Sequence, residues 1–153
     1  MIKMMHQPSV LAHKLDRDEF KAVQIATIKD PLKYFCPNEA QEQFINAIAF
    51  SHKDSKIPVI LFTAGNGVGK TTITINSLLN LVYKPQNKWY DKGLFTNYPY
   101  PKVIWYCSTG EAIKNTIYPE IVRLAPEGSY DTYKDGKPIP ARIVFSGGWE
   151  LIF

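Results

Sequence analysis

The chain has 153 residues and a mass of 17.4 kDa, which suits one ordinary domain. Hydrophobic residues make up 45% and charged residues 21%, which excludes a wholly disordered chain. No apolar run reaches the ~18 residues of a membrane-spanning helix, so we expect no membrane partner. The net charge of +4 is compatible with a polyanionic partner, although such an excess more often only solvates a surface.

The first 30 residues are predicted to form an arm and one helix that precede the main domain at 31–153. Residues 1–20 have neither the continuous apolar core nor the small-residue cleavage site of a secretory signal. The pattern over 15–29 predicts an amphipathic helix that Pro31 stops. The cysteines and histidines are isolated and have no metal-binding or catalytic spacing. The cysteines therefore indicate reduced thiols in an intracellular protein, and the histidines are expected at the surface. They are Cys36, Cys107, His6, His13 and His52.

A helix is predicted from about residue 39 to 53, opened by a capping box. Asn38 is an N-cap type, and Gln41 follows it at the spacing from which an amide side chain reaches back to the cap. The helical period predicts a buried stripe made of Phe44, Ala47, Ile48 and Ala40.

A short apolar run, IPVILFT at 57–63, predicts a buried strand. The turn that follows, AGNGVGKT at 64–71, matches the phosphate-binding loop with Ala64 in place of the first glycine. TTITINSLLNLVY then predicts a helix that ends near Pro85, although threonine and isoleucine locally favour a strand. A strand before this loop and a helix after it are the context that nucleotide binding requires.

Each residue type in this loop suits a nucleotide. Glycines permit positive φ, so that successive N–H groups surround one anion at a helix start. Lys70 is expected to contact the β and γ phosphates, and Thr71 to complete a Mg²⁺ shell, which makes these two residues the catalytic candidates. The alternative is a glycine-rich turn with a surface lysine. The predicted nucleotide-binding residues of the loop are Gly65, Asn66, Gly67, Val68, Gly69, Lys70, Thr71 and, for the α phosphate, Thr72.

Further elements follow the loop. Residues 84–101 are rich in proline and aromatic residues and predict a long loop, and 102–108 predict a second buried strand. Thr109 is expected to cap a helix that runs to about residue 124, with a kink or a restart at Pro119. The stretch 125–141 is polar and rich in glycine and proline. In RIVFSGGWELIF, a two-residue turn at Gly147-Gly148 predicts a hairpin.

Hydrolysis of ATP needs an acid at the end of a strand to hold Mg²⁺. None of the 14 Asp and Glu residues ends an apolar strand, and Glu150 is expected to face solvent within its strand. We therefore expect the acid beyond Phe153 in a longer protein, and poor hydrolysis by this chain. Arg123 and Arg142 are candidate arginine fingers, and Tyr34, Phe35 and Gln41 candidate adenine contacts. The alternatives are surface solvation for the two arginines, core packing for the two aromatic residues and helix capping for Gln41.

The order FCPNEAQEQF, strand, AGNGVGKTT resembles the ATPase domain of the phage terminase large subunit, a DNA-packaging motor. The aromatic stretch 87–126 and the hairpin sequence 142–153 are similar to segments of that family, so the resemblance covers roughly 30–153. It implies an α/β P-loop NTPase fold, with a parallel sheet flanked by helices, and a hairpin near the end. It also implies that Gln41 contacts adenine. Many members have a basic residue in the loop, where this chain has Asn66-Gly67-Val68.

The resemblance further implies ATP and Mg²⁺ as cofactors and double-stranded DNA as substrate of the full-length protein. The implied partners are copies of the chain in a ring, a portal protein and a small terminase subunit, in the cytoplasm of an infected host cell. Three alternatives stay open: a helicase-like or other DNA translocase, a nucleotide kinase, and a fold that binds a partner protein without catalysis. Three scattered arginines argue against the kinase.

Overall fold

A computed structural model describes residues 17–51, 60–63, 65, 67, 69–96, 102–136 and 138–153. The fold is α/β: four principal helices accompany a small mixed sheet of four strands within these residues. None of the described helices is both long and apolar enough to cross a membrane.

The first two helices begin and end where local signals place them. Helix α1 spans Arg17–Lys29 and stops two residues before Pro31, with none of its residues buried. Helix α2 spans Glu39–Phe50 and has the predicted capping box at Asn38 and Gln41. The prediction of the buried stripe was wrong, because the residues that face the core lie one position further along the helix than expected. Its buried residues are Gln41, Ile45 and Ala49, while Phe44 and Ile48 lie half-buried at the flank and Ala40 and Ala47 are exposed.

Helix α3, Lys70–Val82, is the centre of the fold and confirms the predicted helix after the glycine-rich turn. Eight of its 13 residues are buried. One face packs with α4 and the sheet in a large apolar cluster, and the other packs with α2 and with the loop that contains Tyr90 and Phe95. Tertiary burial on two sides outweighs the weak helix propensity of its threonine and isoleucine residues.

Helix α4 covers 110–124 in three consecutive segments. Gly110–Ala112 is α-helical, Ile113–Ile117 is a π-helical turn, and Tyr118–Leu124 is α-helical again. Thr109 caps its start by accepting a hydrogen bond from the Ala112 N–H at 3.2 Å, as predicted. Pro119 has no N–H to donate within a helix, and the wider turn directly before it accommodates that loss.

The sheet is mixed, so the prediction of a parallel sheet was wrong. Its strands are β1 Val103–Trp105, β2 Tyr130–Tyr133, β3 Arg142–Phe145 and β4 Glu150–Ile152, in the order β1-β4-β3-β2. Only β1 and β4 run parallel; β4 pairs with β3 and β3 with β2 in antiparallel register.

The predicted hairpin is confirmed with a longer turn. The Phe145 N–H donates to the Trp149 carbonyl at 2.9 Å, so three residues, 146–148, form the loop. Gly148 has φ +77, the left-handed conformation that ends such a three-residue turn. Trp149, just before β4, and Leu151 within it are buried, and Glu150 between them is half-buried.

One further strand prediction was wrong, and another was right in part. Residues 60–63 form no strand: Leu61 is 86% exposed and Phe62 stacks on Phe44 of α2 at 4.6 Å, so this segment packs on a helix. The strand at 102–108 is shorter and lies at the sheet edge, where Trp105 is 70% exposed. The polar stretch 125–141 contains β2, for which no element was predicted; this strand pairs with β3. Residues 57–59 lie outside the described residues.

Candidate phosphate-binding turn

Two glycines bend the chain into the start of α3. Gly67 has φ +80 and Gly69 has φ +78 with ψ +31, and Gly69 is the N-cap of the helix. Left-handed backbone is costly for any residue with a Cβ, which explains glycine at both positions. Gly65 is also described, and a Cβ at Gly65 or Gly67 would meet open space. Ala64, Asn66 and Val68 lie outside the described residues.

The Lys70 side chain folds back across this turn. Its ammonium donates a hydrogen bond of 2.8 Å to the carbonyl of Gly65, five residues earlier. This hydrogen bond therefore connects the first residue of α3 to the start of the glycine-rich turn. The cation, the carbonyl and the helix start lie together at one end of α3.

Gln41 brings α2 to the same turn. Its Nε2 donates to the Gly69 carbonyl at 3.4 Å, and its Oε1 accepts from the Asn38 N–H at 3.0 Å. The residue is only 8% exposed. The capping interpretation of Gln41 is confirmed, and its contact with Gly69 joins the capping box to the turn. The adenine contact stays a prediction.

The threonines that follow Lys70 are half-buried in the first turn of α3. Thr72 contributes slightly to the lowered pKa of the Glu120 carboxyl on α4. The first backbone bond inside the helix runs from the Ile73 N–H to the Gly69 carbonyl at 2.9 Å. Among the described residues no side chain caps this helix, and its first turn contains no acid.

The other predicted candidates are distributed away from one another. Arg123 pairs with Glu120, and Arg142 lies 3.5 Å from the Glu150 carboxylate with its guanidinium 4.6 Å from the centre of the Tyr133 ring. Tyr34 is 45% exposed, whereas Phe35 packs half-buried against the cluster that contains Tyr90. Cys36 and Cys107 are exposed and form no disulfide. His6, His13 and His52 lie outside the described residues.

Sequence reasoning missed Glu120. Hydrogen bonding to Arg123 holds the pKa of its carboxyl below the usual value, against the opposing effect of burial. The Glu120 to Arg123 spacing of three is visible in the sequence and predicts an ion pair on one helix face. The small effect of Thr72 on this pKa depends on how α4 packs on α3, which no local pattern encodes.

Comparisons with protein-family models, with curated proteins and with solved structures found no match for this chain. The resemblance to terminase large subunits therefore remains a prediction. Across the residues that the structure covers, no group of three or more His, Cys, Asp or Glu side chains is placed to hold a metal ion.

Proposed function

We propose that residues 65–72 bind the phosphates of ATP within a P-loop NTPase fold. We propose further that the chain is the ATP-binding part of a DNA-packaging motor of the terminase large-subunit type. The main observation in support of a nucleotide site is the conformation of the turn before α3. Gly67 and Gly69, both with left-handed backbone, precede α3. The Lys70 ammonium lies 2.8 Å from the Gly65 carbonyl at the start of the turn.

The residues present fit a phosphate group. A helix leaves the N–H groups of its first turn without acceptors inside the helix, and its dipole favours an anion there. The absence of an acid from the first turn of α3 keeps that field positive. Open space around Gly65 and Gly67 allows an anion to approach the backbone closely. In this proposal Lys70 exchanges the Gly65 carbonyl for a phosphate oxygen, a contact that an ammonium prefers.

The magnesium ion that accompanies ATP neutralises phosphate charge when it is bound. Thr71 is the residue proposed to contact it, which is sufficient because Mg²⁺ keeps several waters and takes further oxygens from the phosphates. Among the described strands the acids are Asp131, exposed on the edge strand β2, and Glu150, paired with Arg142. Neither is placed as a partner of Thr71, so we propose binding, not efficient turnover, for this chain.

The motor part of the proposal rests on the resemblance of 30–153 and on the order of its segments. The resemblance alone is the basis for proposing double-stranded DNA as the substrate of the full-length protein. It is also the only basis for proposing a ring of copies, a portal protein and a small terminase subunit as partners. A helicase-like translocase shares the Gln41-then-loop order and is the alternative. The described contacts of Arg123 and Arg142 are with Glu120 and Glu150, not with a shared anion site, which continues to disfavour a nucleotide kinase.

The proposal is tested by titrating Mg-ATP into the chain in a calorimeter. We expect saturable binding that Lys70→Ala reduces by at least tenfold, because the charged contact to the phosphates is lost. Lys102→Ala is the matched control, since that lysine also donates to a glycine carbonyl, Gly147 at 3.0 Å, and its loss changes the net charge equally. Equal affinity of the wild type and Lys70→Ala would reject the site.

A further inference from the structure

Both ends of the Gln41 side-chain amide are bonded to protein backbone. The amide oxygen accepts from the Asn38 N–H at 3.0 Å, and the amide nitrogen donates to the Gly69 carbonyl at 3.4 Å. The backbone N–H of Gln41 also donates to the Asn38 side-chain oxygen at 3.0 Å. The residue is only 8% exposed. The amide is therefore oriented by the start of α2 at one end and by the start of α3 at the other.

The contact with Gly69 is steric as well as polar. A Cβ added at Gly69 would lie 2.8 Å from the Gln41 Nε2, so the amide occupies the space that a side chain would need. The same Gly69 carbonyl accepts the first backbone bond of α3, from the Ile73 N–H at 2.9 Å. This carbonyl shares one rigid peptide plane with the Lys70 N–H, so holding the carbonyl fixes the direction of that N–H.

These bonds compete with recognition of a base. An amide side chain recognises adenine through two bonds at once, in which its oxygen accepts from the 6-amino group and its nitrogen donates to N7. In Gln41 both atoms are engaged with backbone groups of the protein. Exchanging those groups for adenine would break the capping box of α2 and release the Gly69 peptide at the same time.

We propose that Gln41 positions the phosphate-binding turn and does not read the base. This inference rests on the proposed function and narrows it. The turn recognises the polyphosphate chain, which ATP shares with GTP and with inorganic tripolyphosphate. Gln41 acts through Gly69 as a positioning residue: it holds the peptide plane that carries the Lys70 N–H, one of the groups proposed to receive the phosphates.

Calorimetric titrations of the wild type and Gln41→Ala with three ligands test this role. The ligands are Mg-ATP, Mg-GTP and Mg-tripolyphosphate. We expect Gln41→Ala to weaken the binding of all three by the same factor, about three- to tenfold, which is the size of one neutral hydrogen bond. Loss of an adenine contact would instead weaken Mg-ATP binding alone and leave Mg-tripolyphosphate binding unchanged.

Asn38→Ala is the matched control. It removes the side-chain acceptor of the capping box but keeps the Asn38 N–H, and therefore keeps both bonds of the Gln41 amide. We expect this variant to lower the melting temperature through the lost helix cap and to bind the three ligands within about twofold of the wild type. Thermal unfolding of each variant shows whether it is folded during the titration.

Amide resonances give a readout that a loss of stability alone would not move. In the free protein, Gln41→Ala should shift the Lys70 backbone amide, whereas Asn38→Ala should leave it near the wild-type position, because only the first variant releases the Gly69 peptide. In the wild type, the Gln41 side-chain amide should shift equally with Mg-ATP and with Mg-tripolyphosphate, since its response comes through the turn.

Equal losses for the three ligands in Gln41→Ala, with unchanged affinity in Asn38→Ala, support the inference. A loss confined to Mg-ATP makes Gln41 a base contact and overturns it. Equal losses in Asn38→Ala assign the effect to the stability of α2 and also overturn it, as does unchanged affinity of Gln41→Ala while Lys70→Ala weakens binding.

Should Gln41→Ala fail to fold, the wild-type side-chain resonance decides. A response to Mg-ATP without one to Mg-tripolyphosphate would overturn the inference, and equal responses would support it. If the wild type binds none of the three ligands, the proposed function fails and the inference fails with it.

Discussion

Gln41 connects two parts of the chain that are 28 residues apart in sequence. Its carbonyl oxygen completes the capping box of α2, and its amide nitrogen donates to Gly69 at the start of α3. The side chain has little freedom, because both ends of its amide are engaged and it is nearly buried. A methyl group added at Gly69 would lie 2.8 Å from its Nε2.

Gly69→Ala should therefore cost more than the same change at an open left-handed glycine. Gly128 has φ +70 and nothing within 4 Å of an added Cβ, so Gly128→Ala measures backbone strain alone, about 1 kcal/mol. At Gly69 we expect about 2 kcal/mol, since the methyl group also displaces Gln41 and loosens the capping box. Urea unfolding of the two variants compares these costs. Equal losses would show that the Gln41 contact does not constrain the turn.

At the scale of the element, α3 contains a buried polar pair that faces the loop beyond its end. Asn80 donates to the Asn76 carbonyl at 2.9 Å and to its side-chain oxygen at 3.1 Å, and accepts from the Gln86 N–H at 2.9 Å. The Asn76 amide nitrogen is buried and has no hydrogen-bond partner among the residues that the structure describes. The two asparagines are both inaccessible to solvent, yet only Asn80 satisfies a backbone group of another segment.

The two positions should respond oppositely to leucine. Asn80→Leu leaves the Gln86 N–H without its acceptor, and we expect a loss of about 1–3 kcal/mol. Asn76→Leu removes an unsatisfied donor while the backbone carbonyl still accepts from Asn80, so we expect a change near zero or a slight gain. Chemical denaturation of both variants checks this contrast. A larger loss at Asn76 than at Asn80 would contradict the assigned bonding.

Elements with local signals could be predicted from the sequence, and elements that depend on distant partners could not. The capping box at Asn38, the end of α1 before Pro31 and the hairpin at 146–148 are each determined within a few residues. Strand β2 exists because β3 pairs with it, and residues 60–63 pack on α2, not in the sheet. The glycine turn was predictable from residue types, whereas the packing of α4 against α3 was not, because it depends on residues distant in sequence.

For the molecule as a whole, α3 lies between two apolar clusters, one shared with α4 and the sheet and one with α2 and the 90–95 loop. Tyr90 is fully buried in the second cluster, and its hydroxyl lies 3.4 Å from the Ser77 hydroxyl of α3. Burial raises the pKa of Tyr90 well above its ordinary value of 10.0, with the Ser77 contact acting weakly in the opposite direction. Burial likewise raises the pKa of Tyr83 and of Tyr106.

These raised pKa values predict alkaline sensitivity. A tyrosine whose pKa is raised by folding contributes full stability below the unfolded value of about 10, and that contribution falls as pH rises toward the folded value. We expect the unfolding free energy to decline above about pH 10. Tyr90→Phe should flatten this decline and cost no more than about 1 kcal/mol at neutral pH. Tyr34→Phe, at a largely exposed position, is the control. An identical alkaline decline in Tyr90→Phe and the wild type would contradict the burial argument.

Amide chemical shifts recorded during a titration with Mg-ATP test whether the turn before α3 holds phosphates. We expect the largest shifts at the backbone N–H groups of 65–72 and weaker shifts at Gln41, and we expect Lys70→Ala to remove these changes. Unshifted amides across 65–72 at saturating nucleotide, or shifts confined to residues elsewhere in the fold, would contradict it.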